Sequence, residues 1–150
     1  MLFETSRLLA RRFTEGDTEA LFAILSDPAV MKYIEPPFSM ELTRAFVREA
    51  GLCEPPLIYT VIWKQTGELI GHLIWHTWDE RSMELGWILH REFWGRGIAK
   101  ELTAALLAQT DQDVVIECSP EQTMTQHIAN IFGFEQISSQ KELLLYRRCV

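Results

Sequence analysis

Cysteine, positive charge and long apolar runs are all scarce in this chain. The three cysteines, Cys53, Cys118 and Cys149, are odd in number and widely spaced, so they fit no zinc site and suggest free thiols in a reducing cytosol. No apolar stretch approaches the ~20 residues that span a bilayer. Residues 1–5 lack the charged-then-apolar pattern of a signal peptide. We therefore expect a cytoplasmic protein with no membrane partner and no metal site.

Acidic residues outnumber basic ones, 21 Asp and Glu against 14 Lys and Arg, and the net charge is −7. General nucleic-acid binding depends on a basic surface that neutralises phosphates, so we expect no nucleic-acid partner. A ligand with several phosphates must instead be held by local positive charge, which His90, Arg91, Arg96 and Lys100 supply around one loop. The acidic remainder is either a solubility feature or a preference for cationic amine substrates.

The length and composition predict one folded domain over residues 1–150. A chain of 150 residues with 47% hydrophobic and 11% aromatic content can bury a single core. Strands are predicted at 8–13, 57–63, 69–75, 83–89 and 114–118, with a closing pair that includes 143–146. Helices are predicted after the capping box at 14–17, from Ser39 to Ala50, from residue 98, and at 122–132. Mixed strands and helices of this kind indicate an α/β sheet domain.

Two of these helices have a predicted buried face. The helix after the capping box should bury Leu21, Ile24 and Leu25. The helix from Ser39 to Ala50 should turn its apolar residues inward, namely Leu42, Ala45 and Phe46.

A glycine loop follows the strand that ends at Leu89. Gly95 and Gly97 precede a helix whose apolar residues recur at helical spacing from Ile98. The free N–H groups and the dipole at a helix N-terminus attract anions, and glycine lets the backbone approach a phosphate closely. The sequence therefore predicts a phosphate site here. The loop lacks the third glycine of the Rossmann fingerprint and the Gly-Lys-Ser/Thr of the P-loop, which disfavours NAD and ATP.

The loop from Trp94 to Ala99 resembles the pyrophosphate loop of the GNAT superfamily of N-acetyltransferases, [QR]-x-x-G-x-[GA]. Gly97 and Ala99 match that pattern, and Trp94 stands where Gln or Arg is usual, as in the RimJ/RimL branch with its W-G-x-G-x-A. Further segments resemble that branch in the same order along nearly the whole chain. They are residues 5–13, 17–31, 68–71 and 130–134.

The resemblance implies a GNAT fold, with a mixed, mostly antiparallel sheet flanked by helices, and acetyl-CoA as cosubstrate. It assigns the pyrophosphate to the loop residues Trp94, Gly95, Arg96, Gly97, Ile98, Ala99 and Lys100. It places the pantetheine arm along Trp87, Ile88 and Leu89, with the Leu89 N–H facing the oxyanion. Gln122 and Thr125 match further cofactor positions. Transfer is implied to be direct, so Cys118 is expected to be a buried thiol and not a nucleophile.

Acetyl transfer to an amine needs a base, because an amine with a pKa of roughly 10 attacks only when neutral. Glu117 is the first candidate: the resemblance places a Glu five residues before the position of Gln122, and an apolar strand would raise its pKa. Glu84 on the preceding strand is the rival. A third interpretation is that Glu117 simply faces solvent or a basic neighbour.

A general acid is missing from the expected position. The resemblance implies a Tyr four residues after Thr125 and four before Gly133, and the chain has Ala129 there. Loss of a general acid slows the reaction without preventing it, because a thiol with a pKa near 8.5 is a tolerable leaving group. The alternative is a non-catalytic acyl-CoA binding protein of the same fold.

Two histidines and the acceptor complete the sequence predictions. His72 and His76 lie about 13 Å apart on one face of a strand, too far to share a metal ion, so they are assigned to a packed face or groove wall. The acceptor is predicted to be a protein N-terminus or a small amine. The oligomeric state is left open, with a homodimer as one possibility.

Overall fold

An eight-stranded sheet forms the centre of the computed structural model, which describes residues 1–140 and 142–150. The strands are β1 (Phe3–Glu4), β2 (Leu8–Arg11), β3 (Ile58–Trp63), β4 (Glu68–Thr77), β5 (Ser82–Leu89), β6 (Asp113–Cys118), β7 (Glu135–Gln140) and β8 (Leu143–Arg148). Their order across the sheet is β1-β2-β3-β4-β5-β6-β8-β7. Neighbours are antiparallel except for β5 and β6, which are parallel. The mixed, mostly antiparallel sheet is thus confirmed.

The parallel pair stays together only at its beginning. Residues Ser82–Glu84 of β5 pair with Asp113–Val115 of β6. Both strands continue beyond this point, β5 to Leu89 and β6 to Cys118, but without a register between them. Their outer halves therefore separate, and the gap between them forms a cleft.

Helices cover both faces of the sheet. They are α1 (Thr18–Leu25), α2 (Pro28–Met31), α3 (Met40–Phe46), α4 (Ile98–Leu107) and α5 (Thr123–Ile131), and a π turn, Val47–Gly51, extends α3. The larger core cluster includes Ile98, Leu102 and Leu106 of α4. The smaller cluster holds Leu21, Ile24 and Leu25 of α1, whose predicted burial is confirmed.

The capping residues predicted from the sequence mark the helix starts. The Asp17 carboxylate accepts the Thr14 N–H at 2.8 Å, as in a capping box. Ser39 accepts the Leu42 N–H at 3.1 Å and so caps α3.

The predicted buried face of α3 is wrong at Leu42, which is 50% exposed. Thr43 and Val47, four residues apart, are the buried positions instead. Thr43 can be buried because its hydroxyl donates to the Ser39 carbonyl at 2.9 Å, so no polar group loses its hydrogen bond. Phe46 is half-buried and packs against the smaller cluster, in agreement with the prediction.

Candidate active site

A cleft of about 510 Å³ opens where β5 and β6 separate. Its walls come from the second half of β5, the end of β6, the start of α5 and the turn after α2. Five of the residues predicted from the sequence line it, namely Trp87, Ile88, Glu117, Gln122 and Thr125. The fold thus brings together residues that lie up to 38 positions apart in the chain.

One edge of β5 offers free backbone groups to this cleft. The His90 N–H donates to the Ile70 carbonyl at 2.7 Å, and Leu89 lies opposite Gly71. Because hydrogen-bonded and non-bonded pairs alternate in an antiparallel ladder, the N–H groups of Trp87 and Leu89 point away from β4, toward β6. Beyond Glu84 the two strands no longer pair, so these donors point into the gap. Trp87 lines the cleft itself, whereas Leu89 is buried at the end of the strand and is not part of the cleft lining. Both residues were predicted to meet the cofactor.

The glycine loop after β5 presents a second set of free donors. Gly95 and Gly97 have φ angles of 74° and 75°, in the left-handed region, and Gly97 forms the N-cap of α4. Within residues 1–140 and 142–150, none of the backbone N–H groups from 95 to 100 donates to a protein acceptor. Six N–H groups at one helix start are available to an anion.

Trp94 and Arg7 anchor this loop. The Trp94 indole N–H donates to the Leu89 carbonyl at 3.0 Å and so ties the loop to the end of β5. Arg7, which precedes β2, donates to the Arg96 carbonyl at 2.9 Å and pairs with Glu101 of α4 at 2.8 Å. Arg7 was not predicted as a site residue: the sequence showed only a residue at the start of a strand.

The four predicted cations around the loop differ in availability. Arg91 pairs with Asp27 at 3.1 Å, which uses its charge within the protein. His90 accepts the Glu92 N–H through Nδ1 at 3.1 Å. Arg96 and Lys100 are exposed, and in the described part of the chain neither forms a salt bridge. These two supply the positive charge beside the free N–H groups.

The two candidate bases have different surroundings. Glu117 lines the cleft, and its Oε2 atom is buried with no hydrogen-bond partner among the described residues. Glu84 does not line the cleft, and its Oε2 lies 2.9 Å from His76 Nε2. Burial raises the pKa of Glu84, His76 opposes that rise, and the negative charge of Glu117 adds to it.

Ala129 does not face the cleft. It is 0% exposed and belongs to the larger core cluster, and its carbonyl accepts the Phe134 N–H at 2.9 Å. The position expected to hold a general acid is therefore in the packed interior. Cys118 is buried as expected, and burial raises the pKa of its thiol to about 11, so it stays protonated at neutral pH.

The structure adds two hydroxyl residues to the cleft that were not predicted from the sequence, and it shows a hydrogen bond of Gln122 that was not predicted either. Tyr33, in the turn after α2, brings a phenol to the cleft, and no periodicity or motif marks it in the sequence. Ser119 also lines the cleft, and its buried Oγ has no partner among the described residues. Gln122 uses its Oε1 to accept the Ser119 N–H at 2.8 Å. Its amide therefore orders the loop at the end of β6.

His72 belongs to a packed face. It is fully buried, its ring meets the Phe46 ring edge-on at 5.5 Å, and burial lowers its pKa to about 4. It is therefore uncharged at neutral pH. His76, four residues along β4, contacts Glu84 instead.

Comparison with known proteins identifies the class to which this fold and cleft belong. The profile of the Acetyltransferase (GNAT) domain matches residues 7–135. The chain belongs to the GNAT acetyltransferase family, and it is an N-acetyltransferase. Enzymes of this family use acyl-CoA and act on amine acceptors. In the described residues, no helix is long and apolar enough to cross a membrane.

Individual relatives agree with this assignment. The chain is 29% identical over 143 residues to the uncharacterized N-acetyltransferase YnaD of Bacillus subtilis (strain 168), covering 91% of this chain and 84% of YnaD. It is 27% identical over 149 residues to the uncharacterized N-acetyltransferase p20 of Bacillus licheniformis, covering 94% and 83%.

Solved structures show the same fold. A GNAT-family acetyltransferase from Bacillus anthracis superposes with a TM-score of 0.86 at 26% identity, over 97% of this chain and 96% of that one. RimL, a ribosomal L7/L12 alpha-N-protein acetyltransferase in complex with coenzyme A, gives 0.83 at 18% identity, over 99% and 97%. The likeness to RimL is one of fold.

Proposed function

We propose that the protein transfers an acetyl group from acetyl-CoA directly to a primary amine, with Glu117 as the base. The observation that carries the proposal is the buried, unpartnered Oε2 of Glu117 in the cleft between β5 and β6. A carboxylate oxygen without a hydrogen bond is costly to bury, so this atom is suited to receive a donor from a ligand. An ammonium group is such a donor.

Two sets of free donors support acetyl-CoA as the cosubstrate. The N–H groups of 95–100, with Arg96 and Lys100, suit the pyrophosphate. The cleft-facing edge of β5 at Trp87 and Leu89 suits the amide groups of an extended pantetheine arm. When bound, acetyl-CoA supplies the thioester. Thr125 at the start of α5 lines the same cleft and is proposed to contact the arm.

Two groups would assist the transfer: one accepts a proton from the ammonium group, and the other stabilises the negative charge that develops on the carbonyl oxygen. Glu117 accepts a proton from the ammonium group, and the neutral nitrogen then attacks the thioester carbon. The Leu89 N–H is proposed to donate to the carbonyl oxygen as it gains negative charge. As the carbon–nitrogen bond forms, the nitrogen loses its second proton to solvent. The carbon–sulfur bond then breaks with its electron pair on sulfur, and the departing thiolate takes a proton from solvent.

The charge of the cleft supports a cationic acceptor. Its charged lining groups, in the part of the chain that the structure describes, are the carboxylates Glu117, Glu121 and Glu142. Such a lining attracts ammonium groups and repels carboxylates. A small amine or a protein N-terminus whose first residues are not acidic would fit.

Steady-state turnover on a panel of amines tests the proposal. The protein is incubated with acetyl-CoA and small amines, diamines or short peptides, and free CoA thiol is measured together with the acetylated product. We expect amine-dependent thiol release. Binding of CoA without thiol release on any amine would contradict the proposal.

A further inference from the structure

His76, Glu84 and Glu117 lie on one face of three adjacent strands. His76 of β4 is opposite Glu84 of β5, and Glu84 is in register with Val115 of β6. Glu117 is two residues beyond Val115 and therefore points to the same side of the sheet. His76 and Glu84 are largely shielded, with side-chain exposures of 27% and 17%. Three titratable side chains thus form a row that ends in the cleft.

The contacts of the two His76 ring nitrogens require a proton between His76 and Glu84. Its Nδ1 lies 2.9 Å from the Thr77 carbonyl, which can only accept, so Nδ1 carries a hydrogen. Its Nε2 lies 2.9 Å from Glu84 Oε2. A bare imidazole nitrogen facing a bare carboxylate oxygen would be repulsive, so a proton lies between them. Whether that proton is nearer nitrogen or oxygen, the pair has no net charge.

We propose that His76 is a positioning residue for the transfer reaction: by sharing one proton with Glu84, it keeps an uncompensated negative charge away from Glu117. The inference rests on the proposed role of Glu117 as the base. Glu117 is then the carboxylate of this row that meets the ammonium group. Without His76, Glu84 and Glu117 would be two carboxyls with like charges on neighbouring strands.

The other charged or titratable groups described on this face are neutral, salt-bridged or exposed. His72 is buried and neutral. Arg147 of β8 contacts Ser82 and pairs with Asp79 at 3.1 Å and with Asp113 at 3.7 Å. The charged side chains of α1 and α3, which pack on this face, are exposed; they are Glu19, Glu41 and Arg44. The remaining titratable groups at the cleft are Tyr33, Cys118, Glu121 and Glu142, and the Cys118 thiol stays protonated at neutral pH because burial raises its pKa to about 11.

The test compares carboxyl titrations in three proteins by carbon-13 NMR of labelled glutamate. In the wild type, Glu117 is expected to titrate in one step. In His76→Gln, Glu84 and Glu117 should lose their protons in two coupled steps, and the upper step should lie about one pH unit above the wild-type step. The double variant His76→Gln/Glu84→Gln removes the second carboxyl and should restore the single step. Thermal melts check that all three proteins are folded.

The rate profile gives a second readout. In His76→Gln the acidic limb of kcat/KM should broaden toward higher pH, and the double variant should restore its shape. A single unchanged Glu117 step in folded His76→Gln protein would overturn the inference. A wild type that acetylates no amine would overturn the proposed function instead, and the NMR titration would still decide whether the pair compensates charge.

Discussion

Glu117 is the residue on which the proposed chemistry depends most directly. Replacing it with Gln preserves the shape of the side chain but removes its capacity to accept a proton. We expect Glu117→Gln to lower kcat by about 10²–10⁴, with little change in the KM for acetyl-CoA, because only the transition state loses stabilisation. Steady-state thiol release at saturating acetyl-CoA measures this.

A matched carboxylate controls for charge. Glu121 also lines the cleft but is exposed, so Glu121→Gln removes the same charge without removing a buried acceptor. It should affect mainly the KM for the amine. If Glu117→Gln kept wild-type kcat while Glu84→Gln abolished turnover, the base would be Glu84.

Ala129 offers a different test at the same scale. Because its side chain is 0% exposed within the larger core, a Tyr at this position overpacks that core. We expect Ala129→Tyr to lower the free energy of unfolding by about 1–3 kcal/mol and to bring no gain in rate. Urea denaturation measures the loss. Met124→Tyr, on an exposed position of the same helix, is the control and should be nearly neutral.

The sequence indicated which residues could take part in acetyl transfer, but it did not always indicate where their side chains point in the fold. Glu117 was predicted from its spacing to Gln122, Thr125 from its spacing to the Gly-Phe pair at 133–134, and Trp87 from its place on the strand before the glycine loop, and all of these spacings are local. The contact of His76 with Glu84 depends on the register between β4 and β5, which no local pattern specifies. Likewise, the inward turn of Ala129 depends on how α5 packs against the sheet.

At the scale of elements, the loop between β5 and α4 is the feature most sensitive to a single change. Gly97 has a φ of 75°, and a Cβ at this position would meet only Arg7 Nη2, at 3.9 Å. Gly97→Val should therefore leave the fold largely intact at a strain cost of about 1–2 kcal/mol, but its branched side chain disfavours the backbone that presents the N–H groups. We expect CoA binding by calorimetry to be lost.

Gly67 is the matched control for this change. It lies in the turn between β3 and β4, has a φ of 77°, and has no neighbouring atom within 4 Å of the place that a Cβ would occupy. Gly67→Val thus incurs a similar backbone strain away from the loop and should bind CoA like the wild type. Equal loss of affinity in both variants would mean that general destabilisation, and not the loop, explains the effect.

Most elements were predicted because each is encoded by local alternation or helical spacing. The strands Ile58–Trp63, Glu68–Thr77 and Ser82–Leu89 lie where the alternation and the turn residues place them. The separation of β5 from β6 was not predictable in this way. It depends on pairing that stops after three residues between segments about 30 positions apart, and such pairing is a property of the tertiary structure.

At the scale of the whole molecule, the net charge is −7, whereas the glycine loop carries local positive charge. An anionic cofactor should therefore stabilise the fold only if this loop binds it specifically. At 100 times its Kd, acetyl-CoA should add about 2.7 kcal/mol and raise Tm by roughly 5–10 °C. NAD at the same concentration should not. A clear shift with NAD and none with acetyl-CoA would contradict the assignment of the loop.

Successive backbone amides of β5 point in opposite directions, so one amide of the strand can serve as the reference for its neighbour in a hydrogen-exchange experiment. The amide of Ile88 bonds within the sheet, whereas the amide of Leu89 faces the gap beside β6. Hydrogen exchange at Ile88 then reports how often the sheet opens, and exchange at Leu89 reports whether the gap is filled. Measuring both rates therefore distinguishes occupancy of the gap, which slows exchange at Leu89, from a change in the stability of the sheet, which alters exchange at Ile88.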